Sequence, residues 1–268
     1  MSALSHTIED SLTITRRNLI KVKRVPDLIV FATLSPIMFV LLFRYVFGSA
    51  IPLPDGISYA EFLLPGIFAQ TVIFGSTITG ASIAEDLQKG LIDRFRSLPM
   101  APSAVLVGRT FSDVALNVIT IAVMMITGLV VGWRINSSIG EAVLGVLLLL
   151  AFAYAMSWVM AFVGLLVRTP EVVNNASFIV IFPITFIANT FVPTEGFPTA
   201  LKTFANWNPV SAIVQGAREL FGNVAPGAPV PDTWALQNPV LYVFIWVVVL
   251  LAIFVPLSVR KYQSVATR

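Results

Sequence analysis

The chain has 268 residues, 57% of them apolar and only 12% charged, with a formal net charge of +3. A soluble domain of this length carries roughly 25% charged residues, so this composition, with a mean hydropathy of +0.87, indicates an integral membrane protein. Cysteine is absent and His6 is the only histidine, which excludes disulfide frameworks, thiolate chemistry, Cys/His metal centres and a histidine proton shuttle inside the membrane.

In chain order, residues 1–27 come first, with Arg16, Arg17, Lys21, Lys23 and Arg24 set among Ile8, Leu12, Leu19 and Val22 at helical spacing. That pattern predicts an amphipathic helix on the inner membrane surface. A cleaved signal peptide is not expected, because no small-residue cleavage site follows. A bilayer core requires ~20 apolar residues per helix, and six stretches meet this: 28–47, 62–84, 114–133, 142–167, 172–194 and 233–259. Arg44 interrupts the first near its end, and the other five are free of charge. Alternation of apolar and polar residues is missing, which argues against a barrel. Thirteen of the seventeen Lys and Arg residues fall on one side of this arrangement, leaving Arg44, Arg134, Lys202 and Arg218 on the other. The basic side is the cytoplasmic one, so the expected protein is a multi-pass inner (plasma) membrane protein with both termini inside. This placement also favours anionic lipid over nucleic acid as the partner of the basic residues.

Two segments between spans carry more information than the spans. Residues 85–102 (Glu85-Asp86-Leu87-Gln88-Lys89-Gly90-Leu91-Ile92-Asp93-Arg94-Phe95-Arg96-Ser97-Leu98-Pro99-Met100-Ala101-Pro102) are long for a turn in a helical bundle. Leu87, Leu91, Ile92 and Phe95 supply an apolar face among charges, and Pro99 and Pro102 stop the helix. An amphipathic helix on the cytosolic side needs a partner groove for that face. Residues 193–232 hold prolines at 193, 198, 209, 226, 229 and 231 between apolar helical faces. Two short helices broken at Asn208-Pro209 and dipping back into the outer leaflet are expected there.

Few residues offer chemistry. No glycine is followed directly by lysine, so the chain has no phosphate-binding loop of its own. Arg109 and Asp113, four apart at the cytoplasmic entrance of the third span, are expected to pair. Gln70, Asn117 and Asn189 lie inside spans, where interhelical hydrogen bonding is the default and contact with a translocating substrate the sharper alternative. Ser76 and Gly80, and Ala153, Ser157 and Ala161, form small-residue faces suited to close helix packing. Pro183 is expected to kink the fifth span.

The sequence Glu85-x4-Gly90, with Arg94 and Pro99, resembles the cytoplasmic coupling segment of type-2 ABC export permeases, a group that includes daunorubicin-resistance membrane subunits. The run Phe191-Val192-Pro193-Thr194-Glu195-Gly196-Phe197-Pro198, followed by Asn208-Pro209-Val210, Arg218 and Gly222, resembles the re-entrant region before the last span in the same family. The resemblance covers essentially the whole chain as one transmembrane domain. It implies an all-α permease subunit that pairs with a second permease subunit, identical or different, and with two cytosolic ATPase subunits that bind ATP and Mg. It also implies that the loop at 85–98 (Glu85, Asp86, Leu87, Gly90, Leu91, Arg94, Phe95) enters a groove of the ATPase. The N-terminal helix would touch that ATPase, and the first and fifth spans would form the dimer face, with Pro183 near the translocation path. Substrates in the family range from hydrophobic drugs to lipids and polysaccharides. No aromatic ladder of the kind long carbohydrate exporters need stands out, which favours an amphiphilic small molecule or lipid. A non-transporting six-span scaffold, an ion-coupled transporter and an intramembrane enzyme are the alternatives. The last two lack the midplane acids or catalytic groups they require.

Overall fold

In the computed structural model the chain is described over residues 3–24, 27–48, 50, 51, 53, 56–92, 102–225 and 232–265. Helix α1 spans Ala3–Arg24, and α2 spans Asp27–Leu42 and runs on through a π-helical turn, Phe43–Phe47. Two helices separated only by Ser76 follow, α3 (Tyr59–Gly75) and α4 (Thr77–Gln88), then α5 (Pro102–Val131), α6 (Ile139–Leu166) and α7 (Pro170–Phe186). The chain closes with α8 (Thr199–Trp207), α9 (Pro209–Leu220), the single turn α10 (Trp234–Gln237) and α11 (Pro239–Val265). No strand occurs among the described residues.

Among the described residues four helical runs are long and apolar enough to cross a bilayer: Tyr59–Gln88, Ser103–Val131, Ile139–Leu166 and Pro239–Ser264. Two shorter apolar helices, Thr33–Phe47 and Pro170–Phe186, lie among them. Two of the long runs open on the same signature. Ser58 and Ser138 accept from the backbone N–H three residues on, while Glu61 and Glu141 accept from the Ser backbone N–H at 2.9 Å. Such a box satisfies amide donors that would otherwise be orphaned at the helix start.

α3 is the buried axis of the bundle. Leu63, Leu64, Ile67, Phe68, Ala69 and Val72 are all closed off from solvent, with α2, α5, α6 and α9 packed around them. A helix apolar on every side and buried on every side is the expected outcome of that sequence. α11 is the opposite case, apolar yet largely uncovered, with Phe244 and Ile253 exposed, as a helix facing hydrocarbon would be. Phe68, Trp133 and Phe221 meet edge to face with centroids 5.2–6.1 Å apart, a favoured aromatic geometry.

The small-residue faces pack as their spacing implies. Ser76, Ala153, Ser157 and Ala161 are buried, and α4 crosses α6 where Gly80 meets Gly164. A Cβ on Gly164 would lie 2.4 Å from the Gly80 carbonyl oxygen.

Two expectations need correction. The fifth span ends at Phe186, not at 194, because the Asn208 side-chain amide donates to the Ile184 and Ile187 carbonyls at 2.7 and 3.1 Å and caps the helix. The last span begins at Pro239, after a separate turn at Trp234–Gln237. α1 lays Ser11, Ile14, Thr15 and Asn18 on the protein, while Leu12, in the expected amphipathic stripe, is exposed on the side turned away from it. The packed face sits on Gly108 of α5, where a Cβ would come within 2.6 Å of the Ser11 carbonyl oxygen. The side chains of Ile8 and Val22 lie outside the described residues.

Gly164→Leu is expected to force α4 and α6 apart and cost ~1–3 kcal/mol, read as a lower thermal unfolding midpoint of the purified protein in detergent. Gly196→Ala, where a Cβ meets nothing within 4 Å, should leave the midpoint unchanged.

Candidate functional site

A cavity of about 680 Å³ opens between α2, α3, α4, α5 and α7. That lies within the roughly 300–1,000 Å³ typical of small-molecule sites. α5 gives it a continuous wall, with Arg109, Asp113, Asn117 and Thr120 along one face. At 1.5 Å per residue, that face extends ~16 Å. Glu85, Arg109 and Asp113 lie at one end, and Phe39, Phe74, Phe178 and Phe182 supply the apolar side.

Two of the four residues considered for a translocation path face this cavity: Gln70 from α3 and Asn117 from α5. Neither side-chain amide has a hydrogen-bond partner among the described residues, so the interhelical bonding expected of them is not what they do. Asn189 lies elsewhere, in the buried turn after α7, where its N–H donates to Ser211 Oγ at 3.3 Å. Pro183 is inside α7, three residues from its end, and does not line the cavity. Pro36, Pro65 and Pro256 also sit inside helices, so an internal proline does not single out α7.

Arg109 and Asp113 do pair, Nε to Oδ1 at 3.7 Å, with both largely buried. Asp113 also accepts a hydrogen bond from Thr79 on α4. This ties α4 to α5 across the cavity's charged end.

The segment beginning at Glu85 differs from the expected coupling helix. Glu85, Asp86 and Leu87 belong to the last turns of α4, which ends at Gln88. Gly90 follows with φ +64° and nothing near an added Cβ, so glycine is needed there for its conformation and not for space. Helical backbone resumes at Leu91 and Ile92. Arg94, Phe95 and Pro99 lie outside the described residues. Glu85 pairs with Lys89 one turn on, and that hydrogen bond and charge raise the Lys89 pKa. Leu87 and Ile92 pack into a second core with Ile83, Leu106, Trp158, Leu165 and Tyr262, so they face the bundle and not a free groove.

An aromatic ladder is present after all. Phe178, Phe182 and Phe186 stack along α7 with centroids 4.8 and 4.0 Å apart. Phe191 follows at 4.8 Å and Phe43 at 4.4 Å, with Phe39 and Phe47 beyond. The signal was in the sequence: phenylalanines four apart at 39, 43 and 47, and again at 178, 182 and 186. The rings stack on one another from the cavity toward the Phe191 turn.

Above the cavity, residues 193–220 form a 3₁₀ turn (Thr194–Gly196) and two short helices broken at Asn208-Pro209. Pro193 precedes the turn and Pro198 caps α8. Asn208 serves two helices: its amide closes α7, and its Oδ1 accepts from Val210 N–H at 2.9 Å to open α9. Arg218, from α9, is buried. Its Nε donates to the Phe62 carbonyl at 2.9 Å, and its Nη2 donates to Asn189 at 2.7 Å and Thr190 at 3.4 Å. Its guanidinium also lies 3.7 Å over the Phe62 ring.

Membrane-length helices around an amphiphilic cavity, with no phosphate-binding loop in the sequence, define a protein of the membrane-permease class. The ABC-2 type transporter family matches residues 10–221, and the chain belongs to that family. It is 32% identical over 262 residues to the daunorubicin resistance ABC transporter permease protein DrrB1 of Streptomyces coeruleorubidus, covering 98% of this chain and 89% of that one. It is 23% identical over 239 residues, 89% of this chain and 83% of the other, to a Mycobacterium tuberculosis protein named "Probable doxorubicin resistance ABC transporter permease protein DrrC". A third relative, the doxorubicin resistance ABC transporter permease protein DrrB of the same species, is 26% identical over 191 residues, 71% of this chain and 66% of its own.

Arg218→Met should cost ~3 kcal/mol or more, since buried carbonyls left without a donor lose ~1–3 kcal/mol each. The measurement is thermal unfolding in detergent, joined to limited proteolysis of residues 187–207, which should become faster. Arg218→Lys, a compact charge without the planar fork, should recover only part of the loss.

Proposed function

We propose that the chain is the membrane subunit of an ATP-driven exporter in which two permease subunits, identical or different, work with two cytosolic ATPase subunits. Those partners bind ATP and Mg²⁺. The observation that carries this reading is the 32% identity to an ABC permease over 98% of the chain, in a sequence that cannot form a phosphate loop. Six spans follow if α2 and α7 cross as well. α2 with its π-turn has 16 and 5 residues, and α7 has 17. At 1.5 Å per residue these are ~31 and ~26 Å long, against a ~30 Å hydrocarbon core. The excess of basic residues puts both termini in the cytoplasm of a cell with this protein in its plasma membrane. α1 then lies on the inner surface with Leu12 and Ile20, both exposed, toward lipid, and α8 and α9 dip into the outer leaflet.

The transported molecule is a hydrophobic or amphiphilic drug or lipid. The cavity's mixed wall and the names of the relatives support this. Residues 85–102 couple the ATPase to the bundle. Leu87 and Ile92 are anchored in a core shared with α5, α6 and α11, so force applied beyond Ile92 reaches three long helices. In thermodynamic terms the two sites share a coupling free energy.

Affinity purification of the chain from its native membrane in mild detergent tests the reading. A co-purifying ATPase with ATP hydrolysis is expected, and isolation without any nucleotide-binding partner across several detergents overturns it. Within such a complex, Glu85→Lys and Gly90→Pro should leave membrane insertion and ATP hydrolysis intact and abolish most transport. Proline cannot adopt the φ of +64° found at Gly90. Normal transport in both variants would remove the coupling role from this segment.

A further inference from the structure

The cavity has a pattern of unmet polar groups that specifies more than an apolar pocket. No side-chain nitrogen of Arg109 has a hydrogen-bond acceptor among the described residues, although the residue is mostly buried in the cavity wall. Its contact with Asp113, at 3.7 Å, is too long for a hydrogen bond. Further along the wall, the amides of Gln70 and Asn117 have no protein partner, and Thr71 Oγ1 is buried without one. Buried polar groups are nearly always satisfied, and a guanidinium offers five donors. Arg109 Nε and Thr71 Oγ1 are closed off from solvent without a partner and the amides of Gln70 and Asn117 open on the same space, which together point to a ligand that completes them.

The charges set the sign of that ligand. Arg109 is positive, Asp113 beside it is negative, and Glu85 at the same end is paired with Lys89, so the charges balance. A purely anionic head reaching Arg109 meets the Asp113 carboxylate, and a purely cationic head meets the guanidinium. Like charges brought together in this way cost several kcal/mol. A head bearing both signs avoids either conflict and adds charge-assisted hydrogen bonds to Arg109. The neutral amides then suit ester or hydroxyl groups, and Phe39, Phe74, Phe178 and Phe182 suit a chain or ring.

We propose that this cavity is a binding site for a zwitterionic amphiphile, its head at Arg109 and Asp113, its linking groups at Gln70 and Asn117, and its apolar part along the phenylalanines. The proposal rests on the permease reading and names the ligand chemistry of that subunit's cavity.

The test uses the full chain in nanodiscs of phosphatidylglycerol, which contain no zwitterionic lipid. Because the chain has no cysteine, a Thr120→Cys variant places a single thiol in the cavity wall, and its alkylation rate by N-ethylmaleimide reports occupancy. Thr203→Cys, on exposed α8, is the control outside the cavity. The probes are lauroyl lysophosphatidylethanolamine, dodecyl sulfate and dodecylammonium, each below its micelle concentration, and chain-free glycerophosphoethanolamine. The lysolipid is expected to protect the cavity thiol alone, at a concentration ~10-fold lower than either singly charged probe, a difference of ~1.4 kcal/mol. Adding Arg109→Gln should erase the difference. Arg109→Lys, which keeps the charge without the fork, should retain part of it and covers the case in which the glutamine variant does not insert. Equal protection by the three chain-bearing probes, tighter protection by either singly charged one, or none by any, overturns the proposal. Equal protection by glycerophosphoethanolamine removes the phenylalanines from it. Alkylation needs neither ATP nor an ATPase, so these outcomes leave the transport reading standing, and a failure of co-purification leaves this site standing.

Discussion

A buried guanidinium holds one half of the molecule in place. Arg218 cannot shed its charge at any ordinary pH, so within the bundle it must be satisfied by other groups. It reaches the Phe62 carbonyl in the first turns of α3 and the Asn189 and Thr190 carbonyls just past α7. These elements are far apart in sequence, and one side chain from α9 fixes them together. The approach is close enough that a Cβ on Gly66 would lie 2.8 Å from the Thr190 carbonyl oxygen. Asn208, at the head of the same helix, closes α7 from above. α9 is therefore a keystone packed on α3, and α7 hangs from it.

That arrangement determines what lies beneath. With α7 stopped at Phe186, its Phe178, Phe182 and Phe186 stack toward Phe191 and Phe43, while Phe178 and Phe182 remain at the cavity wall. Contact between the α2 and α7 sides runs through rings, and the space between the two helices is the cavity. The bundle thus combines an apolar closure at the Phe191 end with a polar, charged end at Arg109 and Asp113. Polar groups inside an otherwise lipid-soluble protein are costly, and here Asp113 is stabilised by Arg109 and Thr79.

Much of this was legible in the sequence, and the exceptions share a cause. Composition gave the membrane class. Ser58-x-x-Glu61 and Ser138-x-x-Glu141 mark helix starts, Asn208-Pro209 marks the break between short helices, and Arg109 and Asp113 pair at the spacing of one helical turn. What the sequence hid depends on residues distant along the chain. The end of α7 is set by an amide twenty-one residues beyond Ile187. The face α1 packs on the protein is set by Gly108 of α5, and the apolar stripe of α1, turned the other way, does not mark it. Gly90 reads as one small residue in an amphipathic run until its positive φ shows that it ends α4. Gln70 and Asn117 look alike to Asn189 as uncharged polar residues within apolar runs, and only the fold sends two to a cavity and one to a buried turn.

The segment after Gln88 and the cavity are joined by the same two helices. α4 carries Thr77, Ile78, Ser82 and Glu85 along the cavity and ends one turn later at Gln88. α5 begins at Pro102 and presents Arg109 to the cavity two turns further on. The residues between them, 89–101, connect two cavity walls directly. A displacement of that segment changes the spacing of α4 and α5 at the point where Thr79 bonds Asp113 and Asp113 faces Arg109. Packed helices shift between discrete arrangements more readily than they stretch. The charged end of the cavity is therefore the first place a movement at Gly90 would be felt, and the phenylalanine closure beneath Arg218 is the last.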